Sequence, residues 1–291
     1  MNSLYRTMLF VPGNDPQKIV CAEKSGSDCV VYDLEDTVSI FEKDAARTLI
    51  KYTLRCRRPD CRVGVRINPA YSPYHKDDIE TIVPLRPDLI RLPKTETSED
   101  VVRLDSLLTE AENRCSIPQG SVKIVASIET ALGVANSLEI ARASKRMLAI
   151  GLGADDFRLD MGLERTESGE EINFARSLIA LNARAAGILA LDYVFTDISN
   201  EAAFAADVKK GKLMGYTGKS VVHVSQVKTV NDAFSPSPEA VTNAKKVLYA
   251  YESALKNDSG IVELNGRMID KPMVTAAMAV LSRARAAGVQ I

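Results

Sequence analysis

Met147-Leu148-Ala149-Ile150-Gly151-Leu152 is an apolar run without polar alternation, and it leads straight into Gly153-Ala154-Asp155-Asp156. Such a run suits a strand covered on both faces, the condition of a parallel sheet. Its charged groups come only at the C-terminal end. The arrangement recurs: Cys29-Val30-Val31-Tyr32 leads to Asp33, Glu35 and Asp36, and Val63-Gly64-Val65 leads to Arg66 and Asn68. Lys123-Ile124-Val125-Ala126-Ser127-Ile128 leads to Glu129. In a parallel α/β barrel the C-terminal strand ends share one face, where chemistry is done. Acids and an arginine gathered there point to a metal-assisted site for a carboxylated substrate.

Strand and helix signals alternate outward from these runs. Met8–Val11 is a first strand, stopped by Pro12-Gly13-Asn14, and Asp15-Pro16 opens a helix with a capping aspartate and a first-turn proline. Leu89–Leu92, Ala190–Phe195 and Lys219–Val222 supply the remaining strands. Helical stretches follow at Glu42–Leu54, Asp77–Val83, Ser98 (as cap) to Ala111, Ala131–Ala143, Ile172–Ala186, Glu201–Lys210 and Gln226–Ala233. Eight strands alternating with eight helices predict an α/β protein, a (βα)8 TIM barrel over residues 1–234, with an open doubly wound sheet as the alternative. Ser235-Pro236-Ser237-Pro238 breaks the pattern. Residues 235–291 then read as a C-terminal helical extension: a long helix to Lys256, a turn at Asp258-Ser259-Gly260, a hairpin-like piece and a last helix to Ala287. It is expected to act as a lid or an oligomer arm.

The chain has 291 residues, 46% of them hydrophobic, and a formal net charge of −1, so its bulk charge suggests neither nucleic acid nor a membrane surface as partner. The five cysteines (Cys21, Cys29, Cys56, Cys61 and Cys115) are scattered, and only Cys56 and Cys61 lie close, too few for a zinc pattern. The apolar stretch Met8–Val11 is too short for a signal peptide or a membrane span. Reduced thiols and a cytoplasmic location are expected.

Glu129 and Asp156 are the metal-ligand candidates, because hard carboxylate oxygens suit Mg²⁺. The alternative makes each a helix N-terminal acid favoured by the macrodipole. Arg66 closes a buried strand, and its planar fork suits a carboxylate or a developing oxyanion. A buried ion pair with Asp33 or Asp36 is the alternative. Asp33, Glu35 and Asp36 are too crowded to ionise fully without a cation or Arg66, so repulsion should raise one of their pKa values. Gly215-Tyr216-Thr217-Gly218-Lys219-Ser220 is not a phosphate loop, since the first glycine of that spacing falls on Leu213. Of the two histidines, His223 could touch substrate or serve structure, and neither makes a two-histidine metal site.

The ordered motifs Met8-Leu9-Phe10-Val11-Pro12-Gly13-Asn14, Tyr32-Asp33-Leu34-Glu35-Asp36, Val65-Arg66-Ile67-Asn68, Arg91-Leu92-Pro93-Lys94-Thr95, Ser127-Ile128-Glu129-Thr130 and Gly153-Ala154-Asp155-Asp156-Phe157 resemble the citrate lyase β-subunit family, relatives of malyl-CoA and citramalyl-CoA lyases. The likeness continues through Leu163-Glu164-Arg165-Thr166, Gly218-Lys219-Ser220 and Gly266-Arg267-Met268-Ile269-Asp270. It implies a (βα)8 barrel, Mg²⁺ and a homotrimer or hexamer. It implies Glu129 and Asp156 as metal ligands, Arg66 and Glu129 at the substrate, and Asp36 as a catalytic carboxylate beside Arg66. Asp270 is implied as an acid/base that reaches across from a neighbouring subunit. The implied reaction is retro-Claisen cleavage of a citryl thioester, on CoA or an acyl carrier protein, to oxaloacetate and an acetyl thioester. Citrate lyase α and γ subunits are possible partners. Citramalyl-CoA or malyl-CoA cleavage, a non-catalytic scaffold subunit and an aldolase acting on free keto acids are the alternatives. Two departures stand out: Asp155-Asp156 replaces the usual Glu-Asp, and Val224 follows His223 where many relatives have proline.

Overall fold

The computed structural model describes residues 4–256, 263–264 and 267–289. The turn expected at Asp258-Ser259-Gly260, and Gly266 of the last motif, lie outside them.

Eight parallel strands close into a barrel in chain order: β1 (Thr7–Pro12), β2 (Cys29–Asp33), β3 (Arg62–Arg66), β4 (Leu89–Leu92), β5 (Lys123–Ile128), β6 (Met147–Leu152), β7 (Leu189–Asp192) and β8 (Gly218–Val221). The seam pairs Met8 of β1 with Ser220 of β8. Between the strands run α1 (Pro16–Glu23), α2 (Lys43–Cys56), α3 (His75–Ile82), α4 (Ser98–Arg114), α5 (Ala131–Ala135), α6 (Ser137–Arg142), α7 (Ala154–Met161), α8 (Asn173–Ala186), α9 (Glu201–Leu213) and α10 (Ser225–Phe234). The chain is a (βα)8 TIM barrel with a C-terminal helical extension, and the open-sheet alternative is excluded.

The pleat sends alternate residues inward. Met8, Phe10, Cys29, Val31, Leu89, Val125, Ala149 and Leu191 form one buried cluster. Gly64 faces Leu89, whose Cδ1 would lie 2.6 Å from any β-carbon added there. The intervening residues, such as Val30, Val63, Ile90 and Ile150, are equally buried. That explains apolar runs without alternation: both faces of each strand are covered.

Several boundaries differ from the sequence reading. The seventh strand ends at Asp192 rather than Phe195. Asp192 is the last residue of that ladder, the register partner of Lys219, and its carboxylate sits in a buried ion network with Arg176 of α8, Lys219 of β8 and Asp207 of α9. The helix expected over Ala131–Ala143 breaks at Asn136, whose side-chain amide donates to the Glu96 carbonyl at 2.9 Å. Thr97, not Ser98, caps α4, and Asp100 Oδ2 accepts from the Thr97 amide at 2.9 Å. The short helix α7 has no counterpart in the sequence reading.

Residues Tyr5–Asn231 form one compact unit, and the chain from Asp232 onward belongs to a second. Within the second, α11 (Pro238–Lys256) packs on α12 (Lys271–Ala286) through Val241, Ala244, Val247, Val274, Ala277 and Leu281. The antiparallel pair β9 (Glu263–Leu264) and β10 (Arg267–Met268) lies between them in sequence.

Candidate active site

The closed ladder brings Asp33, Arg66 and Glu129 to one end of the barrel. Asp33 and Arg66 are register partners on β2 and β3. Glu129 directly follows β5, and Asp156 lies in the first turn of α7, just after β6.

Arg66 closes a two-point fork on Asp33, Nε to Oδ1 at 2.6 Å and Nη2 to Oδ2 at 2.7 Å. This matches the ion-pair alternative weighed for the arginine. The fork does not exhaust it: Nη1 reaches Glu35 Oε2 at 2.9 Å and Asp36 Oδ2 at 3.4 Å. Asp33 also accepts from the Glu35 amide, the Thr37 amide and the Thr37 hydroxyl. Burial works to raise its pKa, but Arg66 and these hydrogen bonds outweigh it and hold the carboxyl below its usual range. Asp33 is therefore a structural anion that orients Arg66.

Glu35 is the member of the acidic cluster that cannot stay comfortably ionised. Burial, with a contribution from Asp36, pushes its pKa up to about 7 despite Arg66 and Lys94. Lys94 Nζ lies 3.2 Å from Glu35 Oε1 and 3.7 Å from Asp36 Oδ1. Asp36 itself is half exposed at the rim. Lys43 braces the same turn from behind, its ammonium donating to the carbonyls of Leu34 at 2.8 Å and Glu35 at 2.7 Å.

Glu129 is buried, and burial, with Glu35 and Asp156 nearby, raises its pKa to about 7 against the pull of Arg66 and Arg91. The Asp156 pKa is also raised, by burial first and by Asp36 second. Lys94 connects the two acidic groups. Its backbone amide donates to Glu129 Oε2 at 3.2 Å, and its φ of 50° is left-handed, an uncommon conformation for a residue with a β-carbon. Gly153 is forced by the same crowding, since a β-carbon there would lie 2.4 Å from Glu129 Cγ.

Glu129 and Asp156 both line a cavity of about 490 Å³, together with Pro69, Tyr71, Lys94 and Glu96. Among the described residues no three His, Cys, Asp or Glu side chains converge as a metal cage. A pair of hard carboxylates whose ionised forms repel each other nevertheless fits Mg²⁺, which uses one or two protein carboxylates and fills its other positions with water and substrate.

The remaining sequence candidates fall elsewhere. Asp270 belongs to the second unit, where it caps α12 and accepts from the Met273 amide at 2.9 Å. His223 Nδ1 sits 2.8 Å from Ser225 Oγ at the start of α10, and buried His75 meets the Asn68 carbonyl at 2.7 Å. Asn68 is itself tied to Asp78. Lys219 is fully buried between Asp192 and Asp207, so the glycine-rich segment around it forms no phosphate cradle. Sequence reasoning assigned no role to Lys94, Arg91 or Gly153. For Lys94 the signal was present: a lysine just past a strand that ends at Pro93.

Three comparisons bear on this arrangement. The model of the HpcH/HpaI aldolase/citrate lyase family matches residues 6–224. The citrate lyase subunit beta of Leuconostoc mesenteroides subsp. cremoris is 41% identical over 284 residues, 97% of this chain and 94% of its own. The human mitochondrial citramalyl-CoA lyase is 30% identical over 287 residues, 94% of this chain and 83% of its own. A solved structure of CitE from Mycobacterium tuberculosis, in complex with magnesium, acetoacetate and coenzyme A, superposes with a TM-score of 0.78 at 29% identity, covering 98% of this chain and 100% of that one.

Proposed function

The chain belongs to the HpcH/HpaI aldolase/citrate lyase family and is a carbon–carbon lyase of the citrate lyase type; we propose that it cleaves a citryl thioester to oxaloacetate and an acetyl thioester, with Mg²⁺. The observation that carries this reading is the pair Glu129 and Asp156 on one cavity wall, with Arg66 beside Glu35 and Asp36 at the same end of the barrel. The magnesium and coenzyme A bound by the similar CitE protein support it.

Glu129 and Asp156 hold the metal, and Glu129 lies next to the substrate. A Mg²⁺ ion held there would supply Lewis-acid polarisation of a hydroxy acid's oxygens. The Glu35–Asp36 pair takes the hydroxyl proton as the C–C bond breaks. Asp36 meets solvent at the rim, and Glu35, with its pKa near 7, stores a proton behind it. Arg66 keeps one edge for Asp33 and shares Nη1 with Glu35 and Asp36, and from beside that acidic pair it stabilises a developing oxyanion. Asp270 is the acid that protonates the enolate carbon, delivered from a neighbouring subunit of a trimer or hexamer. Residues 1–234 form the catalytic barrel, and 235–291 the lid or oligomer arm. The thioester is carried on CoA or on an acyl carrier protein, the latter in company with citrate lyase α and γ subunits.

Citramalyl-CoA cleavage to pyruvate is the second reading, favoured by the 30% identity to the human citramalyl-CoA lyase. The test is product formation by the purified chain with Mg²⁺, offered citryl-CoA and (S)-citramalyl-CoA in parallel. Oxaloacetate as the preferred product supports the citryl reading, and pyruvate the other. Carrier-bound citryl thioester is the third substrate, and failure on all three refutes the lyase reading.

A further inference from the structure

The cations at the mouth differ in how they are neutralised. Arg66 is held by Asp33, Glu35 and Asp36, and Lys94 by Glu35 and Asp36. Lys43 is engaged by two backbone carbonyls. Arg91 differs from all of them. It points into the barrel from β4, where it is the register partner of Arg66, and it is 4% exposed. Its Nε donates to Ser127 Oγ of β5 at 2.7 Å, and its Nη1 donates across the barrel to Ser220 Oγ of β8 at 3.1 Å. Its guanidinium carbon stands 4.8 Å from the centre of the Phe10 ring, which Arg66 also approaches, at 5.3 Å. Among the described residues Arg91 forms no ion pair; it donates to two neutral hydroxyls and lies over an aromatic ring. Burial and the neighbouring Arg66 lower its pKa to about 10 against the pull of Glu129 and Asp33, neither of which is in ion-pair contact with it.

A buried guanidinium without a carboxylate is costly, and a protein interior keeps such a charge where an anion joins it. The third nitrogen, Nη2, is the one without a serine. It lies beside Gly151 of β6, 3.4 Å from where a β-carbon would stand, so the missing side chain leaves open the side of the guanidinium that faces β6. Ser127 is two residues before Glu129 on β5, which puts this cation directly below the mouth. Citryl and citramalyl thioesters differ in their keto-acid halves. A citryl group carries a carboxymethyl group on its keto-acid half, and hence a second carboxylate, where a citramalyl group carries a methyl.

We propose that Arg91, with Ser127 and Ser220, forms a subsite for the distal carboxylate of a dicarboxylic keto acid, and that Arg91 thereby sets the preference for a citryl over a citramalyl thioester. The proposal rests on the lyase reading for its catalytic consequence but not for its binding consequence, which is tested separately. Phe10 and the serines fix the guanidinium plane, so the anion meets a preorganised fork rather than a flexible chain.

The experiment is calorimetric titration of the full chain, in Mg²⁺, with oxaloacetate and with pyruvate, comparing the wild type with Arg91→Met and Ser220→Ala. Cleavage of citryl-CoA and citramalyl-CoA is followed in parallel. Arg91→Met is expected to weaken oxaloacetate binding at least ~30-fold, the scale for losing one partner of a buried charge pair, while pyruvate binding stays within about 3-fold. Ser220→Ala keeps the charge and should give a smaller loss, again confined to oxaloacetate; it also serves if Arg91→Met does not fold. Citryl-CoA cleavage should fall with oxaloacetate binding, and citramalyl-CoA cleavage should not. Equal losses for both keto acids, no loss for either, or a wild type that binds pyruvate as tightly as oxaloacetate would each overturn the subsite. A wild type that prefers oxaloacetate through Arg91 yet cleaves neither thioester would uphold the subsite and refute the lyase reading alone.

Discussion

Gly153 packs against the carboxylate arm of Glu129 so closely that a β-carbon would lie 2.4 Å from Cγ and 3.0 Å from Oε1. The turn between β6 and α7 thus presses on the side chain at the end of β5, and the glycine sets where that carboxylate points. Gly153→Ala should leave the barrel folded but displace Glu129, lowering turnover by about 10²-fold, as small misplacements in a site do. Steady-state assay across a Mg²⁺ titration is the check, with melting temperature as the control. Full activity at ordinary Mg²⁺ would show that Glu129 needs no such constraint.

Glu129→Ala and Asp156→Ala should each abolish Mg²⁺-dependent turnover, because the metal would keep only one protein carboxylate. Magnesium titration followed by calorimetry should show affinity reduced by at least about 10-fold in either variant. Unchanged activity in both would refute the metal assignment.

Arg66→Lys keeps a charge but loses the planar fork that spans Asp33 while reaching Glu35. Activity should fall by about 10²–10³-fold, the scale of losing one preorganised oxyanion donor. The loss should appear in kcat more than in KM, since the interaction strengthens as charge develops. A pure KM effect would assign Arg66 to ground-state binding instead.

Glu35 links stability to pH. Its folded pKa of about 7 lies above the ordinary glutamate value of 4.5, so the folded chain binds that proton more tightly than the unfolded chain. The stability it contributes is therefore full below about 4.5 and is lost as pH rises through 7. In chelator, the melting temperature of the wild type relative to Glu35→Gln should fall between pH 5 and pH 8, across the window between those two values. A difference independent of pH would show that Glu35 ionises normally.

Lys219 stands fully buried at 3.0 Å from Asp192 and 2.8 Å from Asp207, beside Arg176. Removing one cation leaves carboxylates uncompensated, so Lys219→Met should cost about 3–5 kcal/mol of unfolding free energy. Chemical denaturation measures it directly. A near-neutral result would mean that Arg176 alone suffices for both aspartates.

Much of this architecture was legible in the chain. Unalternating apolar runs such as Cys29–Tyr32 and Met147–Leu152 require cover on both faces, which a parallel barrel supplies, and the placing of charged residues after those runs located the mouth. Helix α7 was missed because it begins directly at the acids Asp155 and Asp156, which read as site residues rather than as a first turn. The seventh strand was drawn three residues too long because Tyr193 to Phe195 is as apolar as a strand, whereas the ladder stops at Asp192, whose carboxylate is ion-paired to Arg176 and Lys219.

Sequence alone determined the alternation of strands and helices, the strand ends that bear the charges, and the identity of Arg66, Glu129 and Asp156 as residues to watch, since each follows from local pattern and from the rule that parallel strands end together. Tertiary structure alone decided how those charges divide their work. Asp33 is lowered and Glu35 raised although they are two residues apart, because one meets the Arg66 fork and the other is buried against Asp36. Arg91, Lys94 and Gly153 acquired meaning only when the closed barrel set β4 and the turn after β6 against β5, because desolvation and Coulomb energy depend on distances that no local spacing encodes.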